Sequence, residues 1–220
     1  MTLNDTDPSA DTKTALLDAA ERLFSREGIA ESSLRAITAE AEANLASVNY
    51  HFGSKQGLVK AVFARRLEPL NRQRLEMLEG CLGPGEGLVD LRCLLRAFVQ
   101  PAMEMMTSQN AGDREFVKLL GRTLFEPTGE LRSTLMQEFR EVGERFTEAL
   151  AGALPAAGQE EIVWGFHFMV GSLAHTVAAR YMVSHRLECL QLPEEDDAEL
   201  ITERLVSFLL SGWQGMGTRE

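Results

Sequence analysis

The sequence is poor in the residues that would staple a secreted scaffold or build a metal centre. Only three cysteines occur, Cys81, Cys93 and Cys189, at scattered spacings and with no Cys-x-x-Cys pair. An odd, dispersed set excludes a disulfide framework and fits a reducing compartment, so free thiols are expected. The four histidines (His51, His167, His175, His185) form no His-Glu-x-x-His pattern. His167 and His175 stand too far apart for a metal pair on one helical face. There is no Gly-rich phosphate loop and no Gly-x-Ser-x-Gly. These absences argue against an enzyme and predict neither cofactor nor metal. No apolar run approaches the roughly 18 to 20 residues that cross a bilayer. Met1 to Asp11 is acidic and polar, unlike a signal peptide. The expectation is a cytoplasmic chain with no membrane partner and a disordered tail over 1–11.

Strand alternation is also missing, and Val and Ile are sparse beside Leu, Ala, Glu and Arg. The periodicity predicts an all-α chain. Leu16, Ala20, Leu23 and Phe24 place one apolar stripe on a first helix, about 13–26, that Gly28 stops. Ser33 can cap a short helix from Leu34 to about Ala41, Asn44 a third from Leu45 to His51, and Ser54 a long fourth, 55–79, linking two domains. Pro69 predicts a kink or break in that link near Leu67. The stretch GCLGPGEG, 80–87, reads as a linker. Further helices are expected at about 88–107, with a kink at Pro101, and at 113–125, 129–153, 160–187 and 194–211. The tail after Trp213 should fray. The predicted organisation is a helix-turn-helix domain over 12–56 and a larger helical domain over 80–220.

The net charge of −11 argues at first against nucleic acid, but the local field at a contact face decides binding. Ser33 to Arg74 holds seven basic and three acidic residues, +4 in all, which leaves −15 for the remainder. A chance cluster of solvated charges gives the same count. Two helices joined by a three- or four-residue turn set the second steeply against the first and expose its N-terminal half to a major groove. In the third segment, Val48 and Phe52 can face the core while Ser47, Asn49, Tyr50 and His51 present donors and acceptors. Ala46 and Ser47 are small enough to admit base edges. Lys55 adds a cation beside free helix N–H groups, which favours a phosphate. His51 can equally pack between helices three and four. Arg65, Arg66, Arg72 and Arg74 read as a solvated helix face.

Several features occur together in order: LLDAAERLF, the Gly28 stop, SLRAI, NYHFGSK and a long helix behind them. In this series the chain resembles the TetR (tetracycline-repressor) family. The resemblance implies an all-α dimer that reads double-stranded operator DNA, with 80–220 as a divergent ligand-binding and dimerisation domain. It places Ser33 and Arg35 at phosphates, Leu45, Ala46, Ser47, Asn49, Tyr50 and His51 on a recognition helix, and Lys55 at a phosphate. The family usually has glycine where this chain has Glu42. A glutamate held in the left-handed region there costs roughly 1 kcal/mol and puts a negative charge near the DNA. NLASVNYHFGSK followed by AVFARRLEPLNRQRLEML is similar to a branch of fatty-acid-responsive repressors, which implies a fatty acid or acyl thioester as effector.

The expected helix over 160–187 is apolar nearly all round and should be buried on several sides. Gly171, Ser172 and Ala174 would permit close helix approach. The resemblance implies a two-fold interface, on which Phe168, Gly171, Ser172, His175, Leu205 and Phe208 are the dimerisation candidates. Phe98, Met105, Phe116, Leu120, Leu124 and Phe139 offer soft walls for a small apolar effector, with Arg122 and His167 as polar anchors. An ordinary core explains the same residues. The sequence therefore predicts a nucleoid-associated, ligand-responsive repressor. The alternative is a helical protein–protein adaptor that no longer reads DNA, a reading favoured by Glu42 and the acidic total.

Overall fold

The computed structural model of the chain describes residues 8–83, 89–123, 129–182 and 197–216. Among them there is no strand, and the helices are α1 (Pro8–Glu27), α2 (Leu34–Glu40), α3 (Leu45–Phe52), α4 (Lys55–Leu82), α5 (Leu91–Thr107), α6 (Ala111–Thr123), α7 (Gly129–Glu138), α8 (Arg140–Ala153), α9 (Gln159–Met182) and α10 (Ala198–Met216). The fold is all-α.

Local chemistry sets the ends of the first four. The α1 stripe of Leu16, Ala20, Leu23 and Phe24 is buried. Gly28, at φ +101°, ends the helix and donates its amide to the Phe24 carbonyl at 2.9 Å. Ser33, Asn44 and Ser54 each accept a backbone N–H two or three residues into their helices, as N-caps do. Helix α1 begins at Pro8, so residues 8–11, expected in a disordered tail, are helical.

Prolines do not divide the long helices. Helix α4 runs through Pro69 to Leu82, and Leu67, where a break was expected, is buried mid-helix. Residues 80–82 of the expected linker therefore belong to α4, and α5 likewise passes through Pro101. Packing on both sides of each proline compensates for the one missing backbone bond. The expected single helix over 129–153 is instead two, parted at Phe139. Helix α10 extends beyond Trp213, whose buried ring anchors the turn that was expected to fray.

In the body, α10 and α4 pack on α5, and α6 packs on both α9 and α1. Arg92 and Arg96 of α5 pair with Glu203 and Glu199 of α10. Close approach uses Gly121, whose Cβ would lie 3.3 Å from the Ala178 backbone, and Gly165, where a Cβ would collide with the Trp213 ring. Gly171, expected in this role, faces open space. By length and composition, helix α9 over Gln159–Ala179 is apolar enough to cross a membrane, against the expectation that no apolar run nears that length. Ile162, Met169, Leu173 and Val177 on one side are buried, whereas Val163, Trp164, Phe168 and Val170 are exposed, so the helix is not covered all round.

Cys81, near the end of α4, and Cys93, in the first turn of α5, form a disulfide. This overturns the expectation of free thiols there. The pairing depends on two helix ends meeting in space, which the spacing of cysteines in the chain does not encode. Cys189 and His185 lie outside the described residues.

Candidate nucleic-acid interface

Helix α3 is fixed at both ends and along its inner face. Asn44 Oδ1 accepts the Ser47 amide at 2.8 Å and the Ser47 hydroxyl at 3.0 Å. Gly53, at φ +73°, closes the C-terminus with its amide on the Asn49 carbonyl at 3.1 Å. Val48 is fully buried and Phe52 packs half-buried against the core. A Cβ at Gly57 would run into the Phe52 carbonyl oxygen, so only glycine lets the first turn of α4 sit against the end of α3.

The opposite face is free. Leu45, Ala46, Asn49 and Tyr50 are exposed, and Tyr50 is 82% so. Ser47 is half-buried with its hydroxyl engaged by Asn44. His51 is also half-buried, its ring 4.9 Å from Tyr50 and 6.0 Å from Phe52, so it joins the outer face to the core instead of choosing between them. Ser33 and Arg35 are exposed at the start of α2. Lys55, at the start of α4, donates to the Ala30 carbonyl at 3.2 Å and so is held beside the loop that precedes α2. Glu42 takes φ +50° in the α2–α3 turn, the left-handed conformation inferred for it.

The arginines of α4 are not a solvated face. Arg65 and Arg66 both pair with the buried carboxylate of Glu21, Arg65 also with Asp18 and Arg66 with Asp113. Arg74 is buried; only Arg72 of the four is exposed. The local count of +4 therefore overstates the charge available to a polyanion, which falls chiefly to Arg35, Lys55, Lys60 and Arg72. Sequence reasoning missed Glu21 altogether. Its signal was a carboxylate four residues after Leu17 on the apolar side of α1, where only a paired charge can be buried.

Residues 16–62 match the family model described as "Bacterial regulatory proteins, tetR family". Residues 96–212, more than half of the chain, match "Tetracyclin repressor-like, C-terminal domain". The chain belongs to the TetR family. This TetR-family protein is thus a DNA-binding transcription regulator whose helix-turn-helix is α2–α3. It is 38% identical over 72 residues to the HTH-type nicotine-responsive transcriptional repressor HdnoR of Paenarthrobacter nicotinovorans, a match spanning 33% of this chain and 37% of that relative's length. Its fold is similar to the fatty acid degradation regulator FadR of Bacillus halodurans, with TM-score 0.71 and 15% identity over 95% of this chain and 98% of that one. It is also similar to FadR of Bacillus subtilis in complex with stearoyl-CoA (TM-score 0.63, 16% identity, 90% and 98% covered) and to SmeT in its triclosan complex (0.64, 20%, 91% and 90%).

In the TetR C-terminal domain, the dimerisation candidates Phe168, Gly171, Ser172, His175 and Phe208 line one cleft of about 720 Å³ on the outer face of α9 and α10, together with Trp164 and Trp213. Phe208 is 68% exposed, and Trp164 stacks on Phe168 at 5.6 Å. Leu205 departs from this set, being buried on the inner face of α10. His167, expected as a polar anchor for an effector, is exposed in the same outer cleft.

The effector candidates do not form one cluster. Phe98 and Phe139 both approach Arg74, and Phe98 also meets Phe146 at 5.1 Å and Phe166 at 5.6 Å. Phe116 sits elsewhere, edge-on to Phe63 of α4 at 5.6 Å. Met105 and Leu120 are half-buried against the core. Leu124 and the side chain of Arg122 lie outside the described residues. Burial pushes the Arg74 guanidinium down to about 9.

Proposed function

We propose that this TetR-family protein is a cytoplasmic repressor that binds a palindromic operator as a homodimer and leaves it when a small apolar effector enters the C-terminal domain. The observation that carries the reading is the outer face of α3, where Ala46, Asn49 and an unburied Tyr50 stand on a helix fixed at both ends. A large exposed aromatic on a rigid short helix needs a partner surface, and base edges suit its hydroxyl. The cleft around Trp164, Phe168 and Phe208 is the dimer surface in this reading, since it leaves large apolar side chains uncovered in the single chain. Pairing there would set two α3 helices for half-sites roughly 34 Å apart. A relative named for its response to nicotine, and similar folds holding stearoyl-CoA and triclosan, favour an apolar effector. The FadR likeness makes a long-chain fatty acid or acyl thioester the first to try.

Operator sites selected from random DNA and titrated by fluorescence anisotropy test the reading. Tyr50→Ala should weaken binding by about 1 to 3 kcal/mol, and Lys55→Ala should reduce the slope of affinity against salt by about 1. Phe208→Glu should give a monomer in sedimentation and lose operator affinity. Glu42 in the turn and the acidic total favour the adaptor reading; absence of DNA binding at low salt would decide for it.

A further inference from the structure

Arg74 is the only one of the four α4 arginines to be buried without a counter-charge. It is 3% exposed, and among the described residues no carboxylate pairs with it. Its Nε donates to the Phe98 carbonyl at 2.9 Å, and its Nη1 makes a long contact of 3.4 Å with Asn71 Oδ1. The guanidinium lies 4.4 Å over the Phe98 ring, with the Phe139 ring at 5.9 Å. A guanidinium carries five N–H donors in a planar fork, so most of its capacity, Nη2 included, is unused by described neighbours. Two turns earlier on the same helix, Arg65 and Arg66 show the usual arrangement, each neutralised by carboxylates.

Burying a cation without an anion is expensive, and a hydrophobic residue of similar volume would fill the position at lower cost. The partners that are present are neutral: a carbonyl, an amide oxygen and two aromatic faces. They orient the group without discharging it. The position faces the break between α7 and α8, where Phe139 starts α8 without a side-chain cap bond. It is also on α4, whose first turn packs against α3.

We infer that Arg74 is the anchor for the carboxylate of an otherwise apolar effector, with the fork taking both oxygens and the chain lying among Phe98, Phe139, Phe146 and Phe166. Planar two-point recognition of carboxylate is what the guanidinium offers over an ammonium. This deepens the proposed function and rests on its reading of the body as an effector site. It selects a free acid over an ester or thioester, whose acyl head is uncharged.

Decanoate and decanamide, alike in shape and length and different in charge, are the probes. Calorimetric titration of the full-length protein should show decanoate binding about tenfold or more tightly than decanamide. Arg74→Met should erase that preference while keeping decanamide binding, and Arg74→Lys should retain part of it. If Arg74→Met does not fold, the guanidinium Nε–H resonance that disappears in Arg74→Lys gives the readout. It should shift on adding decanoate and stay in place with decanamide. Equal affinity for the two probes, a preference that survives in Arg74→Met, or binding of neither probe would each overturn the inference. Operator release by decanamide would still uphold an apolar effector, and DNA binding without any probe tests the repressor reading separately.

Discussion

The Arg66 guanidinium forks onto the Glu21 carboxylate, Nη2 lying 2.8 Å from Oε1 and Nε 3.2 Å from Oε2, and turns its Nη1 to Asp113 at 3.0 Å. One side chain of α4 thus ties α1, in the DNA-reading head, to α6, in the body. Ser25 of α1 makes a second tie, donating its hydroxyl to Glu115 of α6 at 2.6 Å. A movement of α6 would reach the head through these polar contacts as well as through α4.

Glu21 is 2% exposed and serves both Arg65 and Arg66. Glu21→Ala leaves two part-buried arginines short of a carboxylate and should cost about 3 kcal/mol, whereas Arg66→Ala leaves Glu21 with Arg65 and should cost less. Urea unfolding with a double-mutant cycle measures both. A Glu21→Ala change within about 0.5 kcal/mol of the parent would show that the network contributes nothing to stability.

The second tie titrates. The Ser25 hydroxyl, aided by Lys118 and opposed by partial burial, holds the Glu115 carboxyl below its ordinary value. A carboxylate depressed in the folded state contributes stability above its unfolded pKa and loses it as pH falls through the folded one. Ser25→Ala should therefore lower the melting temperature at pH 7, and the gap should close as the pH drops below the carboxylate range. A gap that is the same at neutral and acid pH would exclude this linkage.

Glu42→Gly removes the only non-glycine residue at positive φ among the described residues. The folded protein should gain up to about 1 kcal/mol, and operator affinity should rise at low salt because a negative charge leaves the turn. Thermal unfolding and anisotropy titration report the two effects separately. Loss of stability would mean that the glutamate makes a contact worth more than the strain.

The disulfide closes a loop with a sequence separation of 12 between α4 and α5. Reducing it, or replacing Cys81 and Cys93 by serine, should cost about 2 to 3 kcal/mol through the freedom returned to the unfolded chain. Differential scanning calorimetry with and without a phosphine reductant checks the value. An unchanged melting temperature would show that the bond does not form in solution.

The reach of the sequence follows the range of each interaction. Gly28 ended α1, Ser33, Asn44 and Ser54 capped their helices, and Glu42 entered the left-handed region because each effect acts within a few residues along the chain. The exposed face of α3 was legible for the same reason: Val48 and Phe52 go inward at helical spacing, so Ala46, Asn49 and Tyr50 must point outward.

Tertiary structure decided the rest, since partners distant in the chain choose one another only when helices meet. Arg65, Arg66, Arg72 and Arg74 are one kind of residue on one helix, yet two are neutralised, one is solvated and one is buried bare, according to what α1, α5 and α6 bring to each. His167 and Leu205 exchanged their expected sides for the same reason, as the faces of α9 and α10 are set by Gly165 beneath Trp213. Periodicity fixes which residues share a face, and only packing fixes which face is covered.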